Sequence, residues 1–185
     1  VSSPMTSKIH AHICRGMVAL AALAMVSCSS VSKGPGGQIT KVKYNHLIPN
    51  ERLVARDRSI LFERQYLLYG AVSRAEQMER AGNYYAFNWK VTDRSQPVTV
   101  HFEYRQTKSG LEVRSMDTEV DEVHRSNWTK FEVTGAAYRA DGPVTAWRVS
   151  IRRGKEELAS QQSYLWELLR ASSSIAAPFA RGLRR

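Results

Sequence analysis

Cysteine is nearly missing from this 185-residue chain, which has only Cys14 and Cys28. A disulfide-stapled scaffold is therefore excluded, and the fold has to stand on an apolar core. Long apolar runs are missing as well. The longest, Met17 to Val26, has ten residues, whereas a helix needs roughly 20 to cross the hydrocarbon of a bilayer. No glycine-rich phosphate loop, Gly-x-Ser-x-Gly elbow, Cys-x-x-Cys pair or His-Glu-x-x-His helix occurs, so the sites that announce themselves by local spacing are not there. What is there is a 43% hydrophobic, 24% charged composition, enough to bury one core and not several.

The charge is less informative than its total. Lysine and arginine number 27 against 17 acids, a formal +10. Lys8, Arg15, Lys33, Arg170, Arg181, Arg184 and Arg185 all lie outside residues 38–167, where no acid accompanies them, leaving 20 basic and 17 acidic residues within. A body so close to balance gives little support to a nucleic-acid partner, which needs cations concentrated on one face.

The opening is an address. Lys8 and Arg15 precede the ten-residue apolar run, the order of an export signal, and Met25-Val26-Ser27-Cys28-Ser29 follows at once. Those residues resemble the lipobox of bacterial lipoproteins, with Met25 where leucine is usual. The resemblance implies a signal peptide over 1–27, lipid on the Cys28 thiol and amine, and anchoring by several acyl chains, each buried methylene adding about 0.8 kcal/mol. Ser29 in place of aspartate implies the outer membrane where the organism has one. Residues 28–38, almost wholly serine, glycine and proline, read as a flexible tether. The tail 171–185 reads as disordered and basic.

Between them, 39–170 reads as β-sandwich. Tyr85, Phe87, Trp89 and Val91 alternate onto one face, as do Val98, Val100, Phe102 and Tyr104, then Phe131 and Val133, then Thr145, Trp147, Val149 and Ile151. Turn residues punctuate these runs at Asp93–Pro97, Lys108–Gly110, Ala140–Pro143 and Arg153–Lys155. Ser73-Arg-Ala-Glu76 has the form of a capping box opening a short helix to Ala81, with Gly82 as its stop. Ile60 to Tyr69 fits both periods and its β-branched and aromatic content favours strand. Leu158 to Trp166 reads as the last strand of a closing hairpin. The expected fold is all-β, an antiparallel two-sheet sandwich with one short inserted helix. The segment Pro143 to Leu158 resembles immunoglobulin-like and fibronectin type III modules. The Tyr84 to Trp89 and Glu103 to Gln106 strands are similar to those of small envelope lipoproteins, a resemblance that implies no activity.

Candidate chemistry is sparse. Three histidines, His46, His101 and His124, follow the leader, and His101 falls on the polar side of its strand. Asp117, Glu119 and Asp121 would share one side of a strand, but the run departs from a calcium loop, with Glu122 where glycine is required and Trp128 where glutamate is. It reads as a charged edge that discourages sheet pairing. No cofactor and no metal site are expected. Tyr84, Trp128 and Trp166 are candidate stacking surfaces for a ligand, while Trp89 and Trp147 are assigned to packing. The leading expectation is a non-enzymatic, lipid-anchored envelope module working through protein or structural contacts, with membrane and an envelope protein or glycan as partners. The alternatives are a glycan- or polyanion-binding module and a hydrolase with a dispersed site, which would need His101 or His124 joined to the acidic run.

Overall fold

The structure, a computed structural model, describes residues 31–51 and 57–168. Residues 1–27, read as a leader, Cys28, read as the lipidated residue, and 171–185, read as a basic tail, lie outside the described residues. In chain order the elements are β1 (Ser32–Lys33), β2 (Gly37–Leu47), α1 (Arg58–Leu68), α2 (Arg74–Glu79), β3 (Gly82–Val91), β4 (Val98–Gln106), β5 (Arg114–Val120), β6 (Asn127–Thr134), α3 (Gly135–Asp141), β7 (Val144–Arg153) and β8 (Glu156–Gln162). The strands make two antiparallel sheets of four, ordered β1-β2-β3-β6 and β5-β4-β7-β8.

The period-two pattern decides which faces meet. Tyr85, Phe87, Trp89, Val98, Val100, Phe102, Phe131, Val133, Val149 and Ile151 are buried in one cluster between the sheets. Rings set the layer: Phe102 lies 5.0 Å from Phe131, 5.0 Å from Tyr85 and 5.6 Å from Phe87, centroid to centroid. Trp89 brings a polar atom into this layer and satisfies it, its Nε1 donating to Thr129 Oγ1 at 2.9 Å. Buried Asn83 ties the two sheets, donating to the Tyr44 hydroxyl and accepting from the Val144 amide, each at 2.9 Å. Gly82 is a forced choice: its φ is +155° and a Cβ there would collide with the Val133 carbonyl.

Four expectations are corrected. Residues 60–68 form helix rather than strand, as part of α1, and Tyr69 is its C-cap. Asp57 caps its start by accepting from the Ser59 amide at 2.8 Å, and Arg80 reaches back to the Leu67 and Tyr69 carbonyls at its end. Those polar caps satisfy backbone groups that an unpaired strand would leave open. Among the described residues three helices, besides the helical turn at 164–168, stand where one was expected; α2 does carry the Ser73/Glu76 capping box but ends at Glu79, and Ala140 and Asp141, read as part of a turn, finish α3, with Gly142 as its C-cap. The last strand stops at Gln162, because Ser163 closes the ladder against Trp147 and the chain turns helical over 164–168. Finally, the segment read as a tether is folded from residue 32 onward. Ser32 pairs with Ile39 and Lys33 with Gln38, Ser32 Oγ donates to the Ser160 carbonyl at 2.5 Å, and Gly34 lies so close to Leu158 and Ala159 that any Cβ would clash.

Candidate functional site

The outward face of the first sheet is built in rows, because directly paired residues on antiparallel strands point the same way. Lys41, Asn88 and Trp128 form one row, Lys43, Ala86 and Lys130 the next, and Asn45, Tyr84 and Glu132 the third. Ala86 is the smallest side chain at the centre, so the face is hollow there. Helix α1 crosses above with Phe62, Glu63, Tyr66 and Leu67, and the two enclose a groove of about 380 Å³, within the range of small-ligand sites.

Helix α1 is held over that hollow by polar contacts. None of its residues is buried. Arg64 donates to the Pro49 carbonyl at 2.5 Å, Arg80 caps its last turn, and Glu63 pairs with Lys43 at 3.7 Å. The cations lie over rings: Lys43 Nζ is 5.8 Å from the Trp128 centroid and Lys130 Nζ is 5.8 Å from that of Tyr66. Phe62 is 67% exposed and Tyr66 60%. The Tyr84 ring lines the groove while its hydroxyl donates to the Arg80 carbonyl at 2.6 Å; burial first, then the nearby Glu132, pushes its pKa up to about 12. The arrangement offers flat apolar faces bordered by ammonium and carboxylate groups.

The structure therefore places Tyr84 and Trp128 in one groove. It places Trp166 elsewhere, on the helical turn 164–168, where it is buried and covers the Arg105 guanidinium at 5.0 Å. Phe62, Tyr66, Lys43 and Lys130 were not singled out from sequence. The signal that would have found them is Asp57 as a helix cap followed by Phe62 and Tyr66 four residues apart, about one turn on a helix.

The outward face of the second sheet carries the histidine and the acidic run. His101 Nδ1 is 2.5 Å from Asp117 Oδ1 across the β4/β5 pair, so these two are joined as a dispersed hydrolase site would require. Ser150 stands directly opposite His101 on β7. Its hydroxyl is fully buried, however, and bonds to nothing, His101 included, so the row has no contact between nucleophile and base. The remaining charges pair with one another: Arg148 bridges Glu103 at 3.1 Å and Glu157 at 2.7 Å, and Arg152 adds to Glu103 at 3.8 Å. Asp117 and Glu119 lie exposed on β5, an edge strand. Among the described residues no group of three or more histidines, cysteines or acids is placed to hold a metal ion, and no helix is long and apolar enough to cross a membrane.

Apart from the short β1, the strand order reads as A-B-E facing C′-C-F-G, with β3 as B and β7 as F. The fold is an immunoglobulin-like sandwich. An immunoglobulin-like protein from Pseudomonas aeruginosa is similar over 74% of this chain and 97% of its own, at 9% identity and a TM-score of 0.34. A protein from Akkermansia muciniphila is similar over 72% of this chain and 75% of its own, at 14% identity and a TM-score of 0.33. No protein-family model matches the chain. No curated protein matches it either.

Proposed function

We propose that this chain is a non-catalytic module of the bacterial cell envelope, held to the membrane by lipid on Cys28, that binds a partner protein through the groove between α1 and the first sheet. The observation that carries the reading is a helix with no buried residue, fixed by polar staples, that leaves Phe62 and Tyr66 open above an alanine-floored hollow. Exposed apolar surface of this kind marks interaction sites. The absence of a bond between Ser150 and His101 supports the non-catalytic part, and the lipobox-like residues around Cys28 support the anchor.

Two measurements test it. Palmitate labelling of cells should mark the chain and fail to mark Cys28→Ala, which should leave the membrane fraction; labelling that survives the substitution refutes the anchor. A photoreactive residue at position 66 should give a defined adduct in intact envelopes, and Ala86→Leu, which fills the hollow, should abolish it. An adduct indifferent to Ala86→Leu refutes the groove. A second reading, a glycan ligand, is favoured by Tyr84 and Trp128 lining the same groove beside Lys43, Lys130 and Glu63, since sugar rings stack on aromatics and their hydroxyls take charged partners. Cell-wall glycan fragments that leave the Trp128 fluorescence unchanged dismiss it.

A further inference from the structure

A second hollow lies on the same outward face of the first sheet, at the end where the chain enters the fold. Lys33, Gln38 and Lys90 stand in register across β1, β2 and β3. With Arg94 and Arg125 from the adjoining loops they line an open cavity of about 550 Å³, and no carboxylate lines it. None of the four cations is ion-paired to a described residue, although nearly every carboxylate of the second sheet's outward face is. The nearest acids are engaged or set apart: Asp93 accepts from the Ser95 amide and pairs with Arg153 at 3.2 Å, and Asp121 and Glu122 sit exposed in the loop after β5.

Four unpaired cations around one open cavity repel each other and attract phosphate. The chain's own path suggests where that phosphate comes from. Because β1 begins at residue 32 and Gly34 is locked against β8, only the four residues 29–32 separate Lys33 from Cys28, a span of roughly 18 Å when extended. A lipid on Cys28 would therefore hold this end of the sandwich within reach of the headgroup layer, where a basic residue gains about 1 kcal/mol from an anionic surface.

We propose that the Lys33–Lys90–Arg94–Arg125 hollow binds the phosphate of anionic phospholipid headgroups and so sets the orientation of the domain on its membrane, an assignment that rests on the Cys28 anchor for its choice of lipid over soluble phosphate. The groove under α1 then opens on the face that also carries the lipid contact, farther along the strands from the anchored end.

The test uses the full chain with Cys28→Ala, so that no acyl chain contributes, sedimented with vesicles of phosphatidylcholine alone or mixed with phosphatidylglycerol. The leader is common to all samples, and the substitutions isolate the hollow. Lys90→Gln and Arg125→Gln should each weaken binding to the anionic vesicles about 5-fold and together about 30-fold, with binding to neutral vesicles and the melting temperature unchanged. Equal binding by the substituted and parent chains overturns the proposal. Displacement of the parent chain by soluble glycerol phosphate at the concentration of lipid phosphate overturns the lipid assignment. Failure of the anchor reading shows separately, as absent palmitate labelling of the unsubstituted chain in cells.

Discussion

The two outward faces of this sandwich share one core and treat charge in opposite ways. On the second sheet Arg148, Arg152, Glu103, Glu157, His101 and Asp117 are paired across strands. On the first, Lys43 and Lys130 lie over rings, Lys33, Lys90, Arg94 and Arg125 pair with no described residue, and apolar side chains of α1 stand open. A face that satisfies itself contributes to stability; a face that does not keeps its interactions for something else. The proposed function rests on that difference, with no motif to point there.

Substitutions sharpen the contrast by separating stability from surface. The core comes first. Phe102 contacts rings from both sheets and is fully buried, so Phe102→Ala should cost about 3–5 kcal/mol in denaturant unfolding and lower both faces together. A loss below about 1 kcal/mol would mean that the aromatic layer does not couple the sheets. On the second face, Arg148→Ala takes its partner from Glu157 and leaves Glu103 only the longer contacts to Arg152 at 3.8 Å and His101 at 3.9 Å, and about 2 kcal/mol should be lost. No change there would break the claim that this face is self-satisfied. At alkaline pH the first face should respond through Tyr84. Its folded pKa of about 12 exceeds the ordinary 10, so the native state keeps a proton the unfolded chain releases; the associated stability is whole below pH 10 and falls as pH rises toward 12. Urea unfolding as a function of pH should show a shallower alkaline loss in Tyr84→Phe.

How much of this was legible in the sequence follows from which signals are local. Alternation in Tyr85–Val91 and Val98–Tyr104 is a property of five or so consecutive residues, and it gave the sandwich and its inner faces directly. Helix α1 was misread because Ile60 to Tyr69 satisfies both periods, and what decides for helix is partly remote: Arg80 capping its end and Arg64 reaching Pro49. The groove inherits that error, since Phe62 and Tyr66 become neighbours of Trp128 only once α1 is a helix lying over Ala86. Trp166 misled for the related reason that its partner, Arg105, is sixty-odd residues away on β4. The glycines, serine and proline of 31–38 have the composition of a linker, and only the approach of β8 to Gly34 shows why glycine is needed there for packing.

The smallest expected effect is the most telling. Tyr66 is 60% exposed and its ring lies 5.8 Å from the Lys130 ammonium, at a distance where an exposed cation–π contact adds about 0.5–1 kcal/mol at most. Tyr66→Ala should therefore shift unfolding by less than about 0.5 kcal/mol once the helix propensity gained by alanine offsets the lost contact. Arg148→Ala, on a side chain of comparable size, should cost several times more. If Tyr66→Ala proves as damaging as Arg148→Ala, then the groove's rings are holding α1 in place and the first face is packing after all. If it is silent in unfolding yet removes the cross-link from the groove, the ring is kept for a partner, because nothing within the fold would miss it.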